Sequence, residues 1–210
     1  MSIENENQPI NTTTNELPIK KEPEINKEPT TRQSIWELVR FAFIAIIIVI
    51  PIRMFVAQPF IVSGSSMVPT FQNDQYLIVD ELTYHFKSPQ RGDVIVFHYP
   101  NDPSKFFIKR IIGLPNETID VKTGEVSITN KEHPDGFKVD QPYVTNHSAD
   151  SEHYELKDGE YYVMGDNRPA SYDSRGWGPV KSNLIVGRVF LRLLPFNKIS
   201  TFPGDYKQLN

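Results

Sequence analysis

The sequence contains no cysteine. This absence excludes a disulfide framework, a thiol nucleophile and a cysteine-based zinc or iron–sulfur site. An excess of basic charge is also lacking, because 22 lysines and arginines stand against 26 aspartates and glutamates, for a formal net charge of −4. We therefore do not expect the chain to bind nucleic acid. Glycine is less frequent than proline, at 11 against 17 residues, and this balance favours strands and turns over long helices.

Aromatic residues and glycine are absent from residues 1–33, which instead carry six glutamates and four basic residues. A segment with so few apolar side chains cannot bury enough surface to offset the entropy lost on ordering. We predict a disordered tail over residues 1–33.

Charge is absent from the twelve residues Phe41–Ile52, and the surrounding apolar stretch covers 22 positions from Trp36 to Ala57. A membrane-spanning helix needs about 20 such positions, and arginines near its ends can reach the headgroups. We predict a transmembrane helix over residues 34–57, with a buried core helix and a cleaved signal peptide as the alternatives. Lysine and arginine flank its N-terminal side and are missing from residues 58–86. The positive-inside rule then places the tail in the cytoplasm and residues 58–210 outside, in a single-pass membrane protein.

The remaining 153 residues, 58–210, contain short apolar runs separated by turn signals. Strands are indicated at 76–80, 93–99, 106–112, 160–164 and 184–194, with no helical periodicity between them. The pattern predicts a mainly β fold with an antiparallel, barrel-like sheet. Residues 127–157 are polar and contain three of the five histidines, so we expect an extended loop or hairpin excursion there.

Three segments could carry chemistry. Residues 63–70 (SGSSMVPT) could expose a serine oxygen beside backbone N–H groups. In the strand FFIKRII, Lys109 shares a face with Phe107 and Ile111, so its charged form is destabilised and its pKa should fall. Arg110 cannot deprotonate, which leaves Lys109 as the possible base. The third segment, residues 165–178, is rich in hydrogen-bonding side chains directly after a strand.

Four boxes of the chain resemble type I signal peptidases, the membrane-bound serine–lysine proteases that remove signal peptides. They are SMVPT at 66–70, RGDVIVF at 91–97, KRIIGLP at 109–115 and GDNRPASYDSRGWG at 165–178. The boxes occur in the family's order, and the resemblance covers roughly residues 36–195.

The resemblance implies a role for each matching residue. Ser66 would be the nucleophile, Lys109 the general base, and Ser171 the serine that orients the lysine amine by a hydrogen bond. The resemblance further implies a supporting pair of Asp173 with Arg175 and a structural ion pair of Asp166 with Arg110. Because Gly64 stands where one branch of the family has a serine, the oxyanion would depend on the backbone N–H of Ser66. Shallow apolar pockets, implying cleavage after small-x-small sequences, would be formed by Phe60, Val62, Met67, Phe107 and Ile108.

The mechanism requires a lysine that is neutral often enough to accept a proton. Lowering its pKa from ~10.4 to ~8 leaves roughly one molecule in ten neutral at pH 7. The resemblance implies no cofactor or metal, and its partners are signal peptides and membrane lipid, for a monomeric enzyme. Three alternatives stay open: a triad using His85 or His98, a non-catalytic membrane-tethered β domain, and a serine–lysine autoprotease of the DNA-damage-repressor type.

Overall fold

The N-terminal part of the described chain is one helix. The structure is a computed structural model, and it describes residues 31–55 and 57–206. Helix α1 spans Thr31–Phe55, where the sequence predicted a transmembrane helix over 34–57. Residues 1–30 of the predicted tail lie outside the described residues. No described helix combines the length and the apolar character needed to cross a membrane.

The described residues after α1 are mainly β, as the sequence predicted. Two short helices, α2 at Thr83–Phe86 and α3 at Ser174–Trp177, lie between strands. The strands are β1 Ala57–Ile61, β2 Tyr76–Asp80, β3 Val94–Tyr99, β4 Asp102–Gly113, β5 Thr118–Lys122, β6 Glu125–Thr129, β7 Phe137–Lys138, β8 Ser151–Glu155, β9 Glu160–Met164, β10 Val180–Lys181, β11 Ile185–Leu194 and β12 Ser200–Thr201.

All pairs between these strands are antiparallel, and they form two sheets. The larger has the order β1-β2-β11-β3-β4-β9-β10, with β12 beside β11. Its central strand β3 is buried on both faces: Val94 and Val96 join one hydrophobic cluster, while Ile95 and Phe97 join another. Alternate residues of a strand point to opposite faces, so β3 and its neighbour β4 are held rigidly between two cores.

About a third of the predicted polar excursion, residues 127–157, lies in strands of the second sheet, which has the order β7-β6-β5-β8. The inward residues of β5 and β6 alternate and form their own cluster around Ile119, Val121, Val126 and Ile128. The polar residues of the excursion are mostly on the surface. The outward-facing residues of these strands are polar, so the segment resembled a loop in the sequence.

The edges of the larger sheet nearest to the loop after β1 lie on β1 and on part of β4, where the described strands leave one side unpaired. Strand β1 pairs with β2 alone. Strand β4 pairs with β3 from Asp102, but its pairing with β9 begins only at Arg110. Residues 105–109 of β4 therefore present unpaired backbone groups on one side, which could accept an added strand.

Candidate active site

Ser66 lies on the loop that follows β1. Gly64 has a φ of +94°, in the left-handed region that favours glycine, and its N–H donates to Oδ1 of Asn73 at 2.8 Å. On the other side, the N–H of Asn167 donates to the carbonyl oxygen of Ser66 at 3.0 Å. The Asn167 side chain donates to the carbonyl oxygen of Ser65 at 3.1 Å. The loop is therefore fixed on both sides of the serine.

Lys109 lies on β4, opposite Ile95 of β3, and is only 4% exposed. Its Nζ is 2.9 Å from Oγ of Ser66 and 2.9 Å from the carbonyl oxygen of Ile108. The Phe107 ring centroid lies 5.4 Å from the same nitrogen. The strand thus delivers an amine, in mostly apolar surroundings, to within hydrogen-bond distance of a serine hydroxyl.

Burial lowers the pKa of Lys109 from 10.5 to about 8. The cause is desolvation, which disfavours the charged form of an amine. The carboxylates of Asp173 and Asp166 oppose this shift, and the guanidinium of Arg175 adds to it. With a pKa of about 8, roughly one molecule in ten carries a neutral amine at pH 7.

Ser171 does not make the hydrogen bond that the resemblance implied. Its Oγ is buried and has no hydrogen-bond partner in the described part of the chain, whereas the lysine amine is engaged by Ser66 and Ile108. Ser171 is nevertheless close to the loop that carries Ser66, since a Cβ added to Gly165 would collide with both Ser171 Oγ and the Ser66 carbonyl oxygen. A role of Ser171 in orienting the lysine stays a prediction.

Asp173 and Arg175 form a hydrogen-bonded pair at the start of α3. Asp173 caps this helix and accepts from the N–H of Gly165 at 3.0 Å, while Arg175 donates to Asp173 through Nε and Nη2, both at 2.8 Å. Arg175 also binds Ser148, at 2.7 Å, and Asp150. These contacts hold the loop after β9 against the residues that directly precede β8 of the second sheet.

Asp166 and Arg110 form a fully buried ion pair. Two hydrogen bonds join them, at 2.9 and 2.7 Å, and both side chains are 0% exposed. Asp166 also accepts from the hydroxyl of Thr70 at 2.5 Å, and Arg110 donates to the carbonyl oxygens of Gly92 and Gly204. A buried charge is costly unless it is paired, so breaking this cluster would be unfavourable. The cluster therefore holds together the loop that carries Ser66 and Thr70, strand β4 and the loop after β9.

An open pocket of about 620 Å³ contains both Ser66 and Lys109. Four of the five residues predicted to form substrate pockets line it, namely Phe60, Val62, Phe107 and Ile108. Met67 does not line it: its side chain is 1% exposed and packs in the core with Phe71 and Leu77. The side chain of the residue after Ser66 thus points into the core, in the cluster against which the pocket residues Phe60 and Ile108 pack.

The backbone N–H of Ser66 donates to no acceptor found among the described residues. It is therefore free to donate to an oxygen bound beside the serine hydroxyl. A free N–H next to a nucleophile is the arrangement that stabilises an oxyanion. The role of this N–H in binding an oxyanion stays a prediction.

The histidine alternatives find no support in the described geometry. Nδ1 of His98 lies 2.6 Å from the carbonyl oxygen of Pro103, and its ring packs on Phe106. Nδ1 of His85 lies 3.0 Å from the carbonyl oxygen of Glu81. The basic group that the structure brings to Ser66 is therefore Lys109.

Several residues of the site were not predicted from the sequence. Ala170, Tyr172 and Lys105 line the pocket, and Thr70 and Asp150 make the polar contacts described above. Lys105 lies on β4 only four residues before Lys109, so its position in the sequence could have suggested it. Asp150 had no such signal, because its contact with Arg175 joins distant parts of the chain.

Comparisons with known proteins identify the family to which this chain belongs. The family described as "Signal peptidase, peptidase S26" matches residues 35–194. A "Probable signal peptidase I-2" of Synechocystis sp. is 35% identical over 198 residues, covering 89% of this chain and 86% of the relative. "Signal peptidase I" of Bacillus caldolyticus is 34% identical over 178 residues, covering 75% and 91%. A solved signal peptidase I from Enterococcus faecalis V583 is 29% identical, with a TM-score of 0.42, covering 49% of this chain and 97% of that one. The chain belongs to the signal peptidase family, peptidase S26.

Proposed function

We propose that this chain is a membrane-bound serine endopeptidase that removes signal peptides from exported preproteins, with Ser66 as nucleophile and Lys109 as general base. The family assignment supports the activity. The observation that supports the two roles is the 2.9 Å distance between Nζ and Oγ within an open pocket.

In the first step, the neutral amine of Lys109 takes the proton of Ser66 Oγ as this oxygen attacks the carbonyl carbon of the scissile bond. The negative charge that develops on the carbonyl oxygen would be stabilised by the free N–H of Ser66. Collapse of this intermediate breaks the C–N bond. The proton held on Lys109 passes to the leaving amine, and the signal peptide remains as an ester on Ser66.

In the second step, water attacks the ester carbonyl carbon and gives a proton to the now neutral Lys109. Collapse returns that proton to Ser66 Oγ and releases the signal peptide as a carboxylic acid. Each step needs a neutral amine at its start. The lowered pKa of Lys109 therefore supports its assignment as the base.

We propose small-x-small cleavage sites bound in an extended conformation. The apolar side chains of Phe60, Phe107 and Ile108 leave shallow space beside Ser66. The unpaired edges of β1 and β4 supply backbone N–H and C=O groups for an added strand. A substrate held by these edges would present alternate side chains to the pocket wall.

We propose that α1 anchors a monomeric enzyme to lipid in a single pass, with the N-terminus in the cytoplasm and residues 58–210 outside. The uncharged run Phe41–Ile52 and the exposed apolar side chains of α1, such as Trp36 and Phe41, at 70% and 73%, support contact with lipid. A protease added to intact spheroplasts should then degrade residues 58–210 and spare an N-terminal tag. A degraded tag would contradict this orientation.

The proposed activity is tested with the detergent-solubilised full chain and a purified preprotein, followed by sequencing of the new N-terminus. Wild type should cleave after a small-x-small sequence, and Ser66→Ala and Lys109→Arg should not. Lys109→Arg keeps the charge but cannot supply a neutral base. Ser65→Ala is the matched control, since it changes the neighbouring hydroxyl, and it should keep the activity.

Two outcomes would overturn the proposal. A folded wild type that cleaves none of several preproteins would favour the non-catalytic, membrane-tethered domain. Cleavage that persists in Ser66→Ala or Lys109→Arg would mean that another nucleophile or base acts.

A further inference from the structure

Lys105 lies at the outer end of the pocket, on the same strand as the catalytic base. Strand β4 is in continuous register with β3 from Phe106 to Arg110, so Phe107 and Lys109 share one face. Lys105 directly precedes this register, where β4 bulges away from its pairing with β3. The pocket is lined by Lys105 as well as by Phe107 and Lys109. Unlike the buried Lys109, the Lys105 side chain is 65% exposed and reaches solvent.

The charge at this pocket is all of one sign. Of the described residues that line it, Lys105 and Lys109 can carry charge, and none is an aspartate or a glutamate. Lys105 is paired with Asp102 at 2.9 Å, and its hydrogen bond to this carboxylate raises the lysine pKa, which keeps it protonated. Asp102 does not line the pocket, so a chain bound there would meet Lys105 rather than Asp102.

The spacing along β4 predicts which substrate residue meets Lys105. Two residues of a strand advance by about 6.6 Å, in the bound chain as in β4. If the first residue before the scissile bond lies beside Lys109, the third lies beside Phe107 and the fifth beside Lys105. The fourth residue would point to the opposite side.

We propose that Lys105 is a specificity-determining residue that selects against a basic side chain at the fifth position before the scissile bond and favours an acidic one. This inference rests on the proposed function, because it concerns the substrate of the same site. It commits to a peptide side chain as the group that Lys105 meets. Anionic lipid, which an exposed lysine could also contact, becomes an outcome of the test.

The expected effect is moderate because the pair is solvent-exposed. Exposed charge pairs contribute little, up to about fivefold in an equilibrium or a rate. Between a glutamate peptide, which Lys105 attracts, and a lysine peptide, which it repels, the difference in energy is about twice that of either interaction alone. We therefore expect kcat/KM for a glutamate peptide to exceed that for a lysine peptide by about 5- to 20-fold at low salt, with a smaller ratio at high salt.

The test uses the full chain in neutral detergent and blocked peptides with one Ala-x-Ala site. Glutamate, glutamine or lysine stands at the fifth position, and a second series carries the same residues at the fourth. The ratio of kcat/KM between the glutamate and lysine peptides is measured for wild type, Lys105→Gln and Lys105→Glu. Lys181→Gln, a surface lysine of β10 that does not line the pocket, is the matched control.

Lys105→Gln should bring the fifth-position ratio close to one, and Lys105→Glu should invert it. Asp102→Asn, which leaves Lys105 unpaired, should increase it. The fourth-position series and Lys181→Gln should show no such change. Failure to cleave even the glutamine peptides, or cleavage that survives Ser66→Ala, would instead refute the proposed function.

With Ser66-dependent cleavage established, a ratio that is the same in wild type and Lys105→Glu would overturn the inference. So would an effect of equal size at the fourth and fifth positions. An effect of Lys105 that is seen only when vesicles of anionic lipid replace the neutral detergent would also overturn it, and would assign the lysine to the lipid surface.

Discussion

The lowered pKa of Lys109 makes a quantitative prediction about the pH dependence of cleavage. A fall from 10.5 to about 8 corresponds to about 3 kcal/mol against the charged amine. Since the base must be neutral, kcat/KM should rise with pH and level off above the folded-state pKa. The neutral fraction grows about 50-fold between pH 6 and pH 8, and only about twofold between pH 8 and pH 10.

The interval from pH 8 to pH 10 separates the candidate bases. A lysine with an unperturbed pKa would gain about 75-fold over this interval, and a histidine near 6.5 would gain almost nothing there and only about fourfold between pH 6 and pH 8. The assay follows hydrolysis of a blocked peptide that has no titratable group, by the detergent-solubilised chain. Circular dichroism at each pH confirms that the enzyme remains folded.

The reasoning fails if kcat/KM keeps rising tenfold per pH unit up to pH 10. It fails equally if the profile levels off near pH 7. Ser66→Ala provides the baseline at every pH, so a residual rate that follows hydroxide concentration can be subtracted.

Three further predictions concern stability and geometry. Lys109→Met should stabilise the fold by about 1–2 kcal/mol at pH 7. Below pH 8 the wild type carries the cost of burying a charged amine, and this cost disappears as the pH rises toward 10.5. Urea unfolding at pH 7 and pH 10 tests whether the gain in stability shrinks. Asp166→Asn leaves the buried Arg110 cation without its anion and should cost about 3–5 kcal/mol in urea unfolding, so a loss below 1 kcal/mol would contradict the pairing argument. Gly165→Ala adds a methyl group against the Ser66 carbonyl oxygen and should reduce kcat/KM by about tenfold or more, whereas unchanged kinetics would mean that the loop yields freely.

Strand positions were largely predictable. A strand that is buried on one face or on both shows alternating apolar residues or an apolar run in its own sequence. The predicted strands at 76–80 and 160–164 match β2 and β9. The second sheet was harder, since β7 has only two residues and the polar outer face of β8 resembles a loop. Short or polar strands are stabilised by pairing partners that lie far away in sequence.

The candidate site shows the same division. The boxes indicated Ser66 and Lys109, because each belongs to a local pattern of defined spacing. Met67 was placed in a pocket on the same basis and lies in the core instead, since the direction of a side chain on a loop depends on what the loop packs against. The Ser171 hydroxyl lacks the expected hydrogen bond to the lysine amine, and its direction likewise depends on how its loop packs.

By itself, the sequence determined the antiparallel β class, the order of the boxes and the residue types able to do the chemistry. The β class follows from local periodicity and turn residues, whereas the boxes and their residue roles follow from the resemblance to a family. Only the tertiary structure decided that Nζ and Oγ, 43 residues apart, lie at 2.9 Å, and that Lys105 lines the same pocket. The apolar face around Lys109 had predicted the direction of its pKa shift, and the tertiary structure gave its extent, to about 8. Distances between residues far apart in sequence, and the extent of desolvation, are set by groups that folding brings together.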